Sequence, residues 1–287
     1  MPDSTFKLVK TIFLADPDFM PIFLQPCGPD HVIAVQTWCA FLIDVEAESA
    51  KRIDYPAWAW NVSSAHSSEL ELTIYFERLR ELKRCRIDPA TGKIDQGELI
   101  PESIVLPGPQ PPHLVTDEAI WFAHGGRAHT LVAARYDRTT DLVGDISRIS
   151  STDFFLVGPD GTVYLHRWDV GLILPHPVDQ PEVVVNYRMV GCSEPRGAAF
   201  DDRGVLWIMD EDGPRLFEAN ISERSVKIHE IARLHKDAVD PRDPSPYPWH
   251  SCIWCKGRLV VGCCDAARVD ILRPSEPRAS ASESNPS

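Results

Sequence analysis

Residues 195–231, PRGAAFDDRGVLWIMDEDGPRLFEANISERSVKIHEI, decide the architecture. They read as four short strands. GAAF comes first, followed by a turn at Asp201–Gly204. VLWIMD is second and leads into a polar loop to Gly213. PRLFEA is third, with a turn at Asn220–Arg224, and SVKIHEIA is fourth. Each run is apolar or alternating and is bounded by Asp, Gly or Asn.

The same plan recurs upstream. From Asp153 the chain reads FFLV, a GPDG turn, TVYLHRW, LILP and EVVVNYRMV. From His113 it reads LVT, then AIWFAH, a turn at Gly125–Gly126, TLVAARYD and DLVGDISRI. Two fainter copies precede these: PIFLQP, HVIAVQTW, AFLIDV and KRIDYP, then WAWNVSS, LELTIYFERL, LKRCRID and GELIP. Repeats of roughly 40 to 50 residues with four strands each mark the blades of a β-propeller. A β-sandwich is the competing fold, and it needs fewer strands than are present.

The last copy is incomplete. From His250 it holds SCIWC, LVVGCC and ARVDILRP, with no fourth strand. An orphan strand, FKLVKTIFLA, lies at residues 6–15. Adding it to the last blade would close the ring and remove two open edges. The expectation is therefore an all-β, six-bladed propeller over residues 1–274, with a disordered Ser-, Pro- and Glu-rich tail at 275–287.

The stretch PRGAAFDDRGVLWIMDEDGPRLF resembles a blade of the NHL and SMP-30/gluconolactonase-like six-bladed propellers, whose blades carry P-x-G-x-x-x-D-x-x-G-x-L-W-V. The resemblance covers this one blade well, Asp153–Trp168 fairly, and the rest vaguely. It implies the fold; many unrelated activities share it. Lactonases of this kind hold a divalent cation on the axis with Glu, Asn and Asp. Glu194 and Asp153 match two of those types, but no Asn stands in the corresponding loops and the family's E-G-P-x-W pattern is absent. Pro112–His113 and Trp249–His250–Ser251 are similar to the zinc-holding histidine contexts of the peptidyl-amidoglycolate lyase propeller, whose third histidine has no counterpart here.

Aligned blades place Met20, Tyr55, His113, Asp153, Arg196 and His250 just before each innermost strand, with Glu194 beside Arg196. Those positions converge on the channel. The loops between second and third strands add His124, Arg127, His166 to Asp169, Asp210 to Asp212, and Asp265 at the same face. Histidine suits metal ligation or proton exchange near neutral pH. Carboxylates ligate, orient or act as base. Arginine suits substrate negative charge or a developing oxyanion. The expected roles are metal ligation by His113 and His250, and catalysis by Asp153, Glu194 and Arg196. The cofactor this allows is a divalent metal (zinc, iron or calcium). Taken singly, each such residue also reads as a solvated loop side chain or a hydrogen-bonded structural one.

A net charge of −13 without a compact Lys/Arg cluster argues against nucleic acid. No run of about 18 apolar residues suggests a membrane span. The first ten residues lack a signal-peptide pattern, so the expectation is a cytoplasmic protein whose eight cysteines are free thiols. Cys252, Cys255, Cys263 and Cys264 match a zinc knuckle in count, yet Cys252 and Cys255, three apart in a strand, point to opposite faces.

Two functions stay open on these grounds. One is a small-molecule hydrolase, lyase or isomerase acting on a polar or anionic substrate at the axial site. The other is a non-catalytic scaffold that docks a protein or peptide on the same face, where Trp168, Tyr247 and Trp249 would serve either role.

Overall fold

The computed structural model describes residues 6–16, 23–35, 39–54, 59–64, 70–76, 79, 81–101, 112–116, 118–125, 131–138, 142–149, 154–167, 171–174, 182–187, 192, 195–210, 215–221, 229–233, 249–263 and 267–274. All of its regular elements are strands. No helix among the described residues is long and apolar enough to cross a membrane.

The chain begins with β1 (Phe6–Phe13). Blade 1 follows as β2 (Phe23–Cys27), β3 (His31–Val35), β4 (Cys39–Asp44) and β5 (Ser49–Asp54). Blade 2 is β6 (Ala59–Ser64), β7 (Glu71–Phe76) and β8 (Glu81–Asp88), with the short β9 (Lys93–Ile94) and β10 (Glu98–Leu99) both pairing with β8. Blade 3 is β11 (Pro112–Val115), β12 (Ala119–Gly125), β13 (Leu131–Asp137) and β14 (Leu142–Ile149). Blade 4 is β15 (Phe154–Val157), β16 (Val163–Arg167), β17 (Gly171–Leu174) and β18 (Glu182–Asn186). Blade 5 is β19 (Pro195–Phe200), β20 (Val205–Asp210), β21 (Arg215–Asn220) and β22 (His229–Arg233). Blade 6 is β23 (Trp249–Cys255), β24 (Arg258–Cys263) and β25 (Arg268–Pro274), completed by β1.

Each blade is an antiparallel meander whose first strand is innermost. Successive first strands lie against one another all the way round, from β2 through β6, β11, β15, β19 and β23 and back to β2. The end at which they begin is the top of the ring. Blades 2 and 3 are joined more intimately than the repeats suggest: β6 and β11 pair in parallel, Leu114 beside Ser63 and Val115 beside Ser64, so the two blades form one nine-stranded sheet.

The ring closes as the orphan strand requires. β1 pairs antiparallel with β25 from Phe6↔Pro274 to Phe13↔Arg268, with an irregularity between Leu8 and Lys10. Leu14 N–H continues the ladder to the Ala267 carbonyl at 2.7 Å, and Thr11 Oγ1 donates to buried Asp270 Oδ1 at 2.7 Å. Phe6, 4% exposed, meets Trp207 of blade 5 edge to face at a centroid distance of 4.9 Å.

Apolar side chains fill the seams between blades. Along β20, Val205, Trp207 and Met209 pack toward blade 6, while Leu206 and Ile208 pack toward blade 4. All six β20 residues are buried because the strand has a neighbouring blade on each face. The Asp201–Gly204 turn is held by Asp201, which accepts from the N–H groups of Arg203 and Val205 at 2.9 Å each and from Trp207 Nε1 at 3.3 Å. Gly204 sits there at φ 80°, a conformation that side chains with a Cβ disfavour. The seven described cysteines are free and buried. Cys252 faces the seam with blade 5 and Cys255 the seam with blade 1, so the C-x-x-C pair does divide between faces.

Two outcomes test this arrangement. Phe6→Ala removes a buried aromatic from the closing strand and should lower unfolding free energy by about 3 kcal/mol in urea titration; an unchanged midpoint would show that closure does not depend on β1. Burial pushes the thiols of Cys27 and Cys252 up to about 12 and those of Cys85 and Cys255 up to about 11, with nearby charges secondary. A thiol reagent at pH 8 should therefore react slowly with native protein and reach all eight cysteines in denaturant without reductant. A shortfall from eight would reveal a disulfide.

Candidate functional site

Backbone register singles out the top of the ring. In blade 3, Pro112 pairs with Phe122 and Leu114 with Trp121, leaving His113 as the extra residue of a β-bulge. In blade 5, Pro195 pairs with Asp210 and Gly197 with Met209, leaving Arg196. In blade 6, Trp249 pairs with Cys263 and Ser251 with Gly262, leaving His250. The first strands of blades 1, 2 and 4 pair without interruption. A bulge gives one residue its own direction and commonly re-aims a side chain beside a site. The sequence places these residues just before the innermost strands; each strand begins one residue before the bulged residue, which therefore stands second in β11, β19 and β23. His113 and His250 belong to blades 3 and 6, opposite each other in the ring; Arg196 and His250 belong to adjacent blades.

The side chains of His113, Arg196 and His250 lie outside what the structure describes, as do Asp153, Glu194, Met20 and Tyr55 entirely. Asp153 directly precedes β15, and Glu194 directly precedes β19. Between blades 5 and 6 the backbones approach closely: a Cβ on Gly197 would stand 2.9 Å from the Cys252 nitrogen and 3.2 Å from its sulfur. A residue larger than glycine would push β19 from β23 and separate Arg196 from His250.

A second row of residues tells the two halves of the ring apart. The residue paired with the start of each first strand is Val35, Phe76 and Phe122 in blades 1 to 3. In blades 4 to 6 it is His166, Asp210 and Cys263. His166 is 0% and Asp210 1% exposed. In blade 6 the row continues to Arg268, 1% exposed, whose Nε lies 3.7 Å from equally buried Asp270. Cys263 Sγ donates to Asp270 at 3.4 Å. Buried charges persist where they are paired, and such pairs position groups more than they stabilise.

His166 packs against Tyr187, ring centroids 5.3 Å apart. Tyr187 follows β18 at the start of the crossover to blade 5, and its carbonyl accepts from Cys192 N–H at 3.2 Å. Burial holds the His166 imidazole neutral, its pKa lowered to about 3. Burial, then the neighbouring Cys192 and Cys252 thiols, pushes the Tyr187 phenol well above its ordinary value. The sequence reading reached His166 and Asp210 through the loops between second and third strands. It missed Tyr187, Arg268 and Asp270, which it absorbed into strands EVVVNYRMV and ARVDILRP. Nothing in a local pattern separates a buried polar strand residue from an exposed one. No group of three or more His, Cys, Asp or Glu able to hold a metal occurs among the described residues.

His166 yields a pH-dependent outcome. Unfolded, it titrates near its ordinary pKa of about 6.5. Folded, it titrates at about 3. Between those values the unfolded chain binds the extra proton, so this group costs nothing at pH 7 and weakens the fold as pH falls below about 6.5, by at most about 1.4 kcal/mol per pH unit. His166→Phe should flatten the pH dependence of urea unfolding between pH 6 and about 4. A variant with the same slope as the parent protein would show that His166 takes up its proton in the folded state.

No protein-family model matches the chain, and no curated protein matches its sequence. Solved structures do. The calcium-binding protein regucalcin from Agrobacterium tumefaciens superposes with a TM-score of 0.55 at 14% identity, over 92% of this chain and 94% of that one. Virginiamycin B lyase from Staphylococcus aureus gives 0.55 at 12%, over 94% and 100%. The β-propeller domain of Cps50 (Swd1) from Myceliophteria thermophila gives 0.58 at 9%, over 94% and 100%. These proteins differ in what their names say they do, so what the chain shares with them is architecture. In fold, the chain is a six-bladed β-propeller, and its likeness to the SMP-30/gluconolactonase-like propellers holds at the level of fold.

Proposed function

We propose that the chain is an enzyme acting on a small polar molecule at the top of its channel by hydrolysis, elimination or isomerisation. The observation that carries this is the recurrence of one β-bulge at His113, Arg196 and His250, in blades where chemistry-bearing residues stand at the bulge. The fold neighbours lend support in kind, since they include a lyase.

In this reading Asp153 or Glu194 exchanges a proton with the substrate. Arg196 meets substrate negative charge or the oxygen on which charge develops. The nitrogen and carboxylate donors suit a divalent metal such as zinc or iron, and calcium would lean on the carboxylates. His113 and His250, with Asp153 or Glu194, would hold it, and a bound metal would supply polarisation of a carbonyl. The chain's acidic character, without a compact basic cluster, argues against a nucleic-acid partner and leaves a small polar or anionic substrate as the reading.

The test is turnover of a panel of neutral lactones and of substrates prone to elimination, with metal content measured before and after chelation. His250→Ala and Arg196→Ala should each lower turnover by about 100-fold or more while leaving the melting temperature nearly unchanged. A wild-type protein that turns over nothing in the panel, yet captures a peptide that His250→Ala releases, would favour the scaffold instead.

A further inference from the structure

Ring closure leaves β1 as an edge. It pairs with β25 on one side, and no described strand pairs with the other. Blades 1 and 2 guard their outer strands. The loop after β8 presses on β5, where a Cβ on Gly92 would stand 2.5 Å from the Arg52 carbonyl oxygen, and β9 and β10 pair with β8. Strand β1 stands open, with apolar side chains on it. Leu8 is 47%, Val9 39% and Phe13 61% exposed. These are three of the six large apolar side chains exposed among the described residues, and no two of the others share a strand.

Register sorts this edge into two faces, because residues directly opposite in an antiparallel ladder share a face. Leu8 lies opposite Leu272 and Phe13 opposite Arg268, on the side packed toward blade 5. Lys7 lies opposite Arg273 and Lys10 opposite Ile271, on the side of blade 1. The irregularity at Val9 shifts the alternation by one residue and so brings the two lysines to one face. Lys7, Lys10 and Arg273 are all exposed. Residues 6–15 contain no acid, in a chain of net charge −13. Like charges directly opposite, as Lys7 and Arg273 are, destabilise a ladder, so this pair does nothing for ring closure.

We infer that the free edge of β1 docks an extended segment of a partner protein by strand addition, a segment that alternates apolar and acidic side chains. The β1 main chain supplies the ladder. Apolar residues of the segment lie beside Leu8 and Phe13, and its carboxylates beside Lys7 and Lys10 on the other face. A second copy of this chain would bring another −13 and a second pair of lysines to the seam, which makes it the poorer occupant. The surface lies on the outer rim of blade 6 and is independent of any chemistry at the top of the channel. Lysines and bulges also serve to keep edges from pairing at all. A guard works with either sign of charge, whereas a docking edge works with one.

The test uses the full-length protein and three fluorescent eight-residue peptides, matched to the length of β1 and read by anisotropy. One alternates valine with glutamate, one alternates valine with lysine, and the third is a fully N-methylated copy of the first, which cannot complete a ladder. The parent protein should bind the glutamate peptide at least about tenfold more tightly than either of the others. The double variant Lys7→Glu, Lys10→Glu should bind it about tenfold more weakly and melt within about 2 °C of the parent, because both side chains are exposed. No binding of the glutamate peptide, equal binding of the glutamate and lysine peptides, or binding that survives N-methylation would each overturn the inference. Those comparisons need only the parent protein, so they decide the matter even if the double variant fails to fold. An unchanged affinity in a folded double variant would overturn it as well. A parent protein that sediments as a dimer, and as a monomer after Leu8→Ser and Phe13→Ser, would put a second copy on the edge and overturn the acidic partner.

Discussion

The antiparallel pairing of β1 with β25 is the constraint on which the rest depends. Five blades draw their strands from consecutive sequence, whereas the sixth borrows its outermost strand from the other end of the chain. That pairing fixes the ring's circumference. It also sets β23 between β19 and β2, so the strands that carry Arg196 and His250 are neighbours in the ring. The Thr11–Asp270 hydrogen bond carries the influence of closure inward, because Asp270 also holds Arg268 and Cys263 at the top of the same blade. A loosened closing strand would be felt at the candidate site through those three residues.

Much of the fold was legible because propeller blades advertise themselves. The turn centred on Asp201 needs an acceptor side chain and a glycine, and both stand in the sequence where blade 5 requires them. The missing fourth strand of blade 6 and the unassigned run at residues 6–15 pointed to each other. The parallel pairing of β6 with β11 left no trace, since main-chain bonds between strands far apart in sequence do not depend on which side chains are present. Strand β22, described over His229–Arg233, overlaps the stretch where the SVKIHEIA run places the blade's fourth strand, and residues 225–228 lie outside the described residues.

For the site, position was legible and surroundings were not. His113, Arg196 and His250 fell at corresponding places because repeats align. The bulges beneath them could not be read, since a bulge is one residue's mismatch between two strands and only the partner strand reveals it. Tyr187 reads as one more apolar-tending residue after VVVN. Its burial comes from packing with Ala198, Leu206 and Ile208 of blade 5, a long-range arrangement that local pattern does not encode. The contrast between Val35, Phe76 and Phe122 on one side and His166, Asp210 and Cys263 on the other likewise exists only once strand register is known.

The nine-stranded sheet spanning blades 2 and 3 bears on how this sequence can change over time. Among the described strands, every other pair of neighbouring blades meets through side chains, so each of those seams restricts which residues can replace Trp207, Phe41 or Leu206. The seam between β6 and β11 is held in part by main-chain hydrogen bonds, which are indifferent to residue identity. Blade 2 can therefore drift from the repeat consensus while staying in place. That is a physical reason for its copy to be among the faintest in the chain. Variation should accumulate fastest where the backbone itself does the joining.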